Sequence, residues 1–203
     1  DTWGGEGVVS GIYKKLSLSA GYNHFDTDGW RKNADQEDDI SNVFVQYEIS
    51  PKTSIQAEYR YRDYERGDIM QRFFEEDWLP DLRNDVTTRS GRIGVRHAFS
   101  PGSIVLGNFQ YAHNEFEYSD VLFFDGTFDG FPPPPDAEEI LRNPIDEDDY
   151  AGELSYLFRS KHFDLVSGAG YVRGKRDDTL IVTDQWPGTV PPTEIFSFTD
   201  PLE

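Results

Sequence analysis

The 203-residue chain has no cysteine, so it can hold no disulfide framework, no Cys-ligated zinc and no thiol nucleophile. It also lacks any run of about 18 apolar residues, which excludes a membrane-spanning helix. Lys and Arg are scarce, 19 against 38 Asp and Glu, and the resulting net charge of −19 leaves no basic surface with which to neutralise nucleic-acid phosphates. Hydrophobic residues make up only 36%, few enough to suggest disorder were the aromatics not at 15%. Asp1-Thr2-Trp3 carries no signal peptide; the expectation is a processed chain or one that starts inside a longer protein. These absences leave open one membrane class, because a transmembrane β-strand is apolar only at alternate positions.

Alternation of that kind is present in segment after segment. Ile55, Ala57, Tyr59 and Tyr61 fall on one face, and Gln56, Glu58, Arg60 and Arg62 on the other. Val43, Val45, Tyr47 and Ile49 alternate with Asn42, Phe44, Gln46 and Glu48, and Ser50-Pro51-Lys52-Thr53 between the two runs has turn chemistry. A second hairpin joins Ile93, Val95, His97 and Phe99 through Ser100-Pro101-Gly102-Ser103 to Val105, Phe109 and Tyr111. A third joins Leu154, Tyr156 and Phe158 through Ser160-Lys161-His162 to Phe163, Leu165, Ala169 and Tyr171. A weaker one turns at Lys14-Lys15 into Leu16, Leu18, Ala20 and Tyr22. The expected fold is therefore all-β, an antiparallel up-and-down meander of about eight strands within residues 5–175, in a single domain over 1–203, with residues 176–203 a long loop.

The links between hairpins, residues 26–39, 66–85 and 119–149, are far longer than ordinary connections. The third contains Phe131-Pro132-Pro133-Pro134-Pro135, which cannot join a sheet interior. Charges of −4, −4 and −9 over residues 26–39, 67–85 and 119–149 put −17 of the net −19 in these links. Short turns on one side and long acidic loops on the other are what a Gram-negative outer-membrane barrel shows. A soluble sandwich or propeller also alternates. Two features favour the barrel: Tyr22, Tyr47, Tyr59, Tyr61, Tyr111 and Tyr171 lie on the apolar faces, mostly toward the long-loop half, as at a membrane interface, and Arg and Glu stand mid-strand opposite them.

The chain resembles the TonB-dependent-receptor-like barrel region of large bacterial outer-membrane proteins, including those that carry tetratricopeptide repeats. The residues that carry the resemblance are His24-Phe25-Asp26-Thr27-Asp28-Gly29, Thr53-Ser54-Ile55-Gln56-Ala57-Glu58, Arg72-Phe73-Phe74 and Arg96-His97-Ala98-Phe99-Ser100-Pro101. It implies a bacterial outer-membrane location, contact with outer-membrane lipid and lipopolysaccharide, and an energy-coupling periplasmic partner. No plug, TonB box or repeat array is present, and both ends fall on the long-loop side, so a partial barrel completed by further strands is expected.

Among candidate functional residues, Gln46, Glu48, Glu58, Arg60, Arg62, Arg92 and Arg96 form a charged row on the polar face. Such a row either lines a passage and guides a solute or pairs across strands to satisfy polar groups. Asp26, Asp28 and Asp35 offer oxygen donors for a loop-bound Ca²⁺, or simply a solvated acidic loop. His24, His97, His113 and His162 show no metal-ligand spacing, and His113 beside Glu115 and Glu117 lacks a nucleophile motif, so no enzyme is expected and no cofactor beyond that Ca²⁺. The leading function is solute uptake through a TonB-dependent-receptor-like or porin-like barrel. The alternative is a structural or adhesive surface protein anchored by the barrel.

Overall fold

The computed structural model describes residues 1–70, 74, 78–123, 138–185 and 193–202. Nine strands follow one another: β1 (Thr2–Tyr13), β2 (Leu16–Thr27), β3 (Gln36–Ser50), β4 (Thr53–Arg66), β5 (Arg83–Ser100), β6 (Ser103–Phe123), β7 (Glu138–Arg159), β8 (Asp164–Gln185) and β9 (Thr193–Leu202). Each pairs antiparallel with its neighbours in sequence, in a single open sheet ordered β1 to β9. All four expected hairpins are there. The fold class read from alternation is the one observed, because a period of two commits every strand to a two-faced sheet.

The turns sit where the sequence places them. Lys14 adopts φ of 55°, the positive value a two-residue hairpin requires at its first position. The register shifts at Glu48/Ser50 and at Ala98/Ser100, so each of the two Ser-Pro turns is entered through an irregularity one residue long. Successive hairpins are staggered. The backbone N–H of Glu48 donates to Lys15 O (2.8 Å), that of Ala98 to Lys52 O (2.8 Å) and that of Arg159 to Gly102 O (2.7 Å), so each hairpin runs past the turn before it. A stagger always in one direction is how a sheet of tilted strands curls toward a barrel.

Two expectations are corrected. The strands reach well into the spans read as loops, so that β2 ends at Thr27 and β3 begins at Gln36, β4 ends at Arg66 and β5 begins at Arg83, and β6 runs to Phe123. Asp38, Asp39, Asp85, Asp120, Asp146, Glu147, Asp148 and Asp149 are thus strand residues. Charge lowers β-propensity, but a ladder already in register keeps its hydrogen bonds, and alternate carboxylates find cross-strand cations. Even Pro144 is accommodated: the β7–β8 pairing lapses at Asn143 and Pro144, and the Asn143 side-chain amide donates instead to Thr179 O (2.9 Å) and Asp178 Oδ1 (2.7 Å). Residues 176–203, expected as a loop, contain the end of β8 and the ninth strand, which pairs with β8 from Arg176 to Asp184. The proline run at 132–135 lies outside the described residues.

Nothing among the described residues covers the apolar face. The buried hydrophobic residues are only Ala34, Leu82 and Ala98, while Ile93 is 63% exposed, Leu154 59% and Phe109 51%. A soluble sandwich would bury these side chains under a second sheet, at about 1.5–3 kcal/mol each. One sheet with an open apolar face is consistent with part of a barrel wall.

Among the described residues, a compact cluster lies between the first two long connections. Asp68, fully buried, bonds Arg31 Nη2 through Oδ2 (3.1 Å) and accepts from the backbone N–H of Leu79 (2.9 Å) and of Met70 (3.2 Å). Asn33 Nδ2 donates to Leu79 O (2.7 Å) and Leu82 O (3.0 Å), and Arg31 Nη2 also donates to Met70 O (3.0 Å). The connection at 28–35 is thereby latched to the one at 67–82.

Candidate functional site

Residues opposite one another in an antiparallel ladder project to the same face, so the register sorts every side chain. One face carries the rows Leu18–Val45–Ala57–Ile93–Phe109 and Leu16–Tyr47–Ile55–Val95. Aromatics bound it at two heights. Near the short turns lie Tyr13, Tyr47, Phe99, Tyr156 and Phe158; six to nine residues farther along their strands lie Tyr22, Tyr59, Tyr61, Tyr111, Tyr150 and Tyr171. Tyr47 therefore belongs to the lower belt, not with the long-loop tyrosines. From Phe158 to Tyr150 is eight residues of β7, roughly 20 Å of height for a strand tilted about 40°. Above the upper belt the same face turns charged.

The opposite face holds all seven residues of the expected charged row. Gln46 stands across from Gln56, Glu48 from Ser54, Glu58 from Arg92, Arg60 from Asn42, Arg62 from Thr88 and Arg96 from Ser54. The structure brings some of them together and not others. Arg92 Nη2 bonds Glu58 Oε2. Arg62 grips Asp38 with two bonds of 2.8 Å, a partner that had been read as a loop acid. Gln46, Arg92 and Arg96, with Gln56 and Asn108, ring a depression of about 300 Å³ whose floor includes the buried Gly94. Arg60 and Arg96 have no carboxylate partner among the described residues, so ion pairing accounts for only part of the row.

The expected Ca²⁺ donors do not converge. Asp28 Oδ2 accepts from the Asp1 amino group (2.5 Å), Asp35 pairs with Arg83, and Asp26 sits on β2. Two other groups do converge, each with ligand atoms within 4.8 Å: His24, Glu37 and Asp39, and His113, Glu115 and Asp146. Either could receive a cation.

Each belongs to a pattern that spacing in sequence did not reveal. In Tyr22-Asn23-His24 and Tyr111-Ala112-His113, tyrosine and histidine two apart on one strand share a carboxylate of the next. Asp39 accepts from Tyr22 Oη and lies 2.9 Å from His24 Nδ1; Asp148 accepts from Tyr111 Oη (2.6 Å) and lies 2.9 Å from His113 Nδ1. A Tyr-x-His repeat was there to be found, but its acid comes from register.

The hydrogen bond to Asp148 raises the His113 pKa, outweighing desolvation, and Glu115 adds to the rise. The Asp148 pKa is lowered, first by Tyr111 and then by His113. A raised histidine contributes stability that is complete below its unfolded value of 6.5 and lost as pH climbs through the folded value. A lowered aspartate contributes stability that is present above its unfolded value of 3.8 and lost as pH falls through the folded value. The trio should therefore stabilise most between about pH 4 and the mid-6s. In His113→Gln, the drop in thermal midpoint from pH 5.5 to pH 8 should shrink relative to wild type; an unchanged pH slope would remove the histidine from the account.

No family model matches the chain, and no curated protein sequence is significantly similar to it. Solved structures do share its fold. The ferric citrate transporter FecA in its unliganded form superimposes with a TM-score of 0.62 at 13% identity, over 95% of this chain and 29% of that one. P. aeruginosa FpvA, bound to a heterologous pyoverdine–iron complex, gives 0.59 at 11% identity, over 99% of this chain and 31% of that one. The chain thus spans under a third of the length of each of these proteins, and at such identities the likeness is one of fold.

Proposed function

We propose that the chain is part of the wall of a bacterial outer-membrane β-barrel that lets a solute cross, its aromatic-bounded face in lipid and its Arg- and Glu-bearing face toward a hydrated lumen. The observation that carries the reading is the sorting of side chains by register. One face is apolar between two aromatic belts, and the face behind it bears Glu58, Arg60, Arg62, Arg92 and Arg96. Lipid satisfies the first face, water the second, and the ladder satisfies the backbone in between.

The mechanism follows from those two surfaces. The wall is passive, and selection falls to the lining, where Arg96 at the polar depression and Arg60 farther along β4 have no carboxylate partner among the described residues. The fold shared with FecA and FpvA supports transport as the purpose of such a wall. β1 and β9 each pair on one side only among the described residues, which supports closure by further strands. An energy-coupling periplasmic partner belongs to the same proposal.

The test is accessibility. Spin labels at Val45 and Tyr59 should be relaxed by oxygen dissolved in the bilayer, and labels at Gln46 and Arg60 by an aqueous nickel chelate. Reversed or uniform access would end the barrel reading, and transport with it.

A further inference from the structure

The two groups of histidine and carboxylates that converge above the upper aromatic belt are built differently. In the first, Asp39 is a member of the group and also the partner of His24 Nδ1 and Tyr22 Oη, so one acid would have to hold the ring and bind an ion at once. In the second, those tasks fall to different acids. Asp148 holds His113 Nδ1 (2.9 Å) and accepts from Tyr111 Oη (2.6 Å), while the convergent atoms belong to His113, Glu115 and Asp146. With Nδ1 turned to Asp148, the Nε2 of His113 stands 3.2 Å from Glu115 Oε1. Asp146 lies directly opposite Glu115 on the next strand.

A metal-ligating imidazole characteristically donates its second ring N–H to a carboxylate, which fixes the tautomer, and the carboxylates beside it are themselves hydrogen-bonded. Both conditions hold here. Asp148 fixes the ring, and Arg89 Nη1 donates to Glu115 Oε1 at 2.9 Å. The spacing suits as well. A tetrahedral ion with bonds of about 2.0–2.2 Å sets its ligand atoms roughly 3.4 Å apart, close to the separation of Nε2 and Oε1.

Charge gives an independent reason. Across β6, β7 and β8 the ladder places Glu115, Asp146 and Asp177 opposite one another in a row, and like charges so placed repel. Arg89 answers Glu115, and Lys175 answers Asp177 at 3.9 Å. Asp146, between them, has neither a hydrogen bond nor an ion pair among the described residues. A dication shared by Asp146, Glu115 and His113 relieves that repulsion.

We infer that His113, Glu115 and Asp146 bind a divalent transition-metal ion of the zinc class, with Asp148 positioning the histidine. The ion ties β6 to β7 above the belt. Imidazole decides the class, because nitrogen suits Zn²⁺ whereas Ca²⁺ takes oxygen ligands. The ligands are brought together by register, so the inference goes beyond the transport reading and does not depend on it.

The test is calorimetric titration of the folded protein, freed of metal by a chelator and held in neutral detergent micelles, with zinc chloride. Wild type should bind one zinc ion per chain at this site and keep it in a large excess of Ca²⁺. His113→Ala and Asp146→Ala should each remove that ion. Asp148→Asn should weaken it by about 10–100-fold, the usual cost of losing the carboxylate behind a ligating histidine. Glu147→Gln alters the neighbouring acid, which pairs with Asn114 on the opposite face, and should change nothing.

No zinc binding by wild type, or equal binding by wild type and Asp146→Ala, would overturn the inference. Displacement by equimolar Ca²⁺ would overturn it too, reducing the site to loose attraction between a dication and acids. Should His113→Ala misfold, Asp146→Ala decides the matter, since Asp146 bonds no other described residue.

Discussion

Val45→Arg should cost about 2–4 kcal/mol of folding free energy in a bilayer, the depth-dependent penalty for a cation near the middle of a barrel's lipid face. That is a factor of roughly 30 to 1000 in the folded population. Val45 lies between Leu18 and Ala57 in the apolar row, midway between the aromatic belts, so a guanidinium there has neither a carboxylate nor water to meet. Ser19→Arg is the matched control. Ser19 is on the neighbouring strand, opposite Phe44 on the polar face, where the same side chain points to the lumen. Urea-dependent refolding into phosphatidylcholine vesicles should show a large loss for the first variant and little for the second. Equal losses would mean that the two faces are not differently solvated, and the wall would need another description.

The second large effect is expected in the connections beyond the sheet. Asp68→Ala should detach the connection at 28–35 from that at 67–82. Asp68 is fully buried and the Arg31 side chain is only 13% exposed, so truncation strands a buried cation as well as the backbone N–H groups of Met70 and Leu79. Breaking a buried pair from one side costs about 3–5 kcal/mol. The loss is local, because the ladder below does not depend on the latch. Hydrogen exchange at Leu79 and Gly67 should accelerate by roughly two orders of magnitude or more, with the unfolding midpoint of the whole sheet nearly unchanged. Gly67→Ala should act in the same direction through sterics: a Cβ there would stand 2.3 Å from Asn33 O, and that oxygen belongs to backbone that cannot swing aside. Slow exchange in both variants would show that the two connections are held by something other than this cluster.

Much of the architecture could be read directly. Alternation around Tyr47 and Tyr59, with Ser50-Pro51 and Ser100-Pro101 between runs, gave the hairpins, their order and the face of each side chain. It did so because the strand period of two is local and turn chemistry is local. The seven residues of the polar row were found for the same reason. What misled was charge. Asp146, Glu147, Asp148 and Asp149 read as loop because a strand seldom holds four consecutive acids, and residues 176–203 also read as loop. The four acids lie in β7, and residues 176–185 and 193–202 lie in β8 and β9, since a ladder continues as long as its partner offers hydrogen bonds, whatever the side chains prefer.

The partnerships were beyond sequence reasoning. That Arg62 would take Asp38, that Asp39 and Asp148 would each hold a tyrosine and a histidine, and that Asp28 and Asp35 would be claimed by Asp1 and Arg83 all depend on which residue faces which across two backbones. Sequence alone determined that this chain makes a two-faced antiparallel meander, because alternation acts within each strand. Only the tertiary structure decided how far the strands run and which charges are neutralised, because those outcomes are set by register between strands.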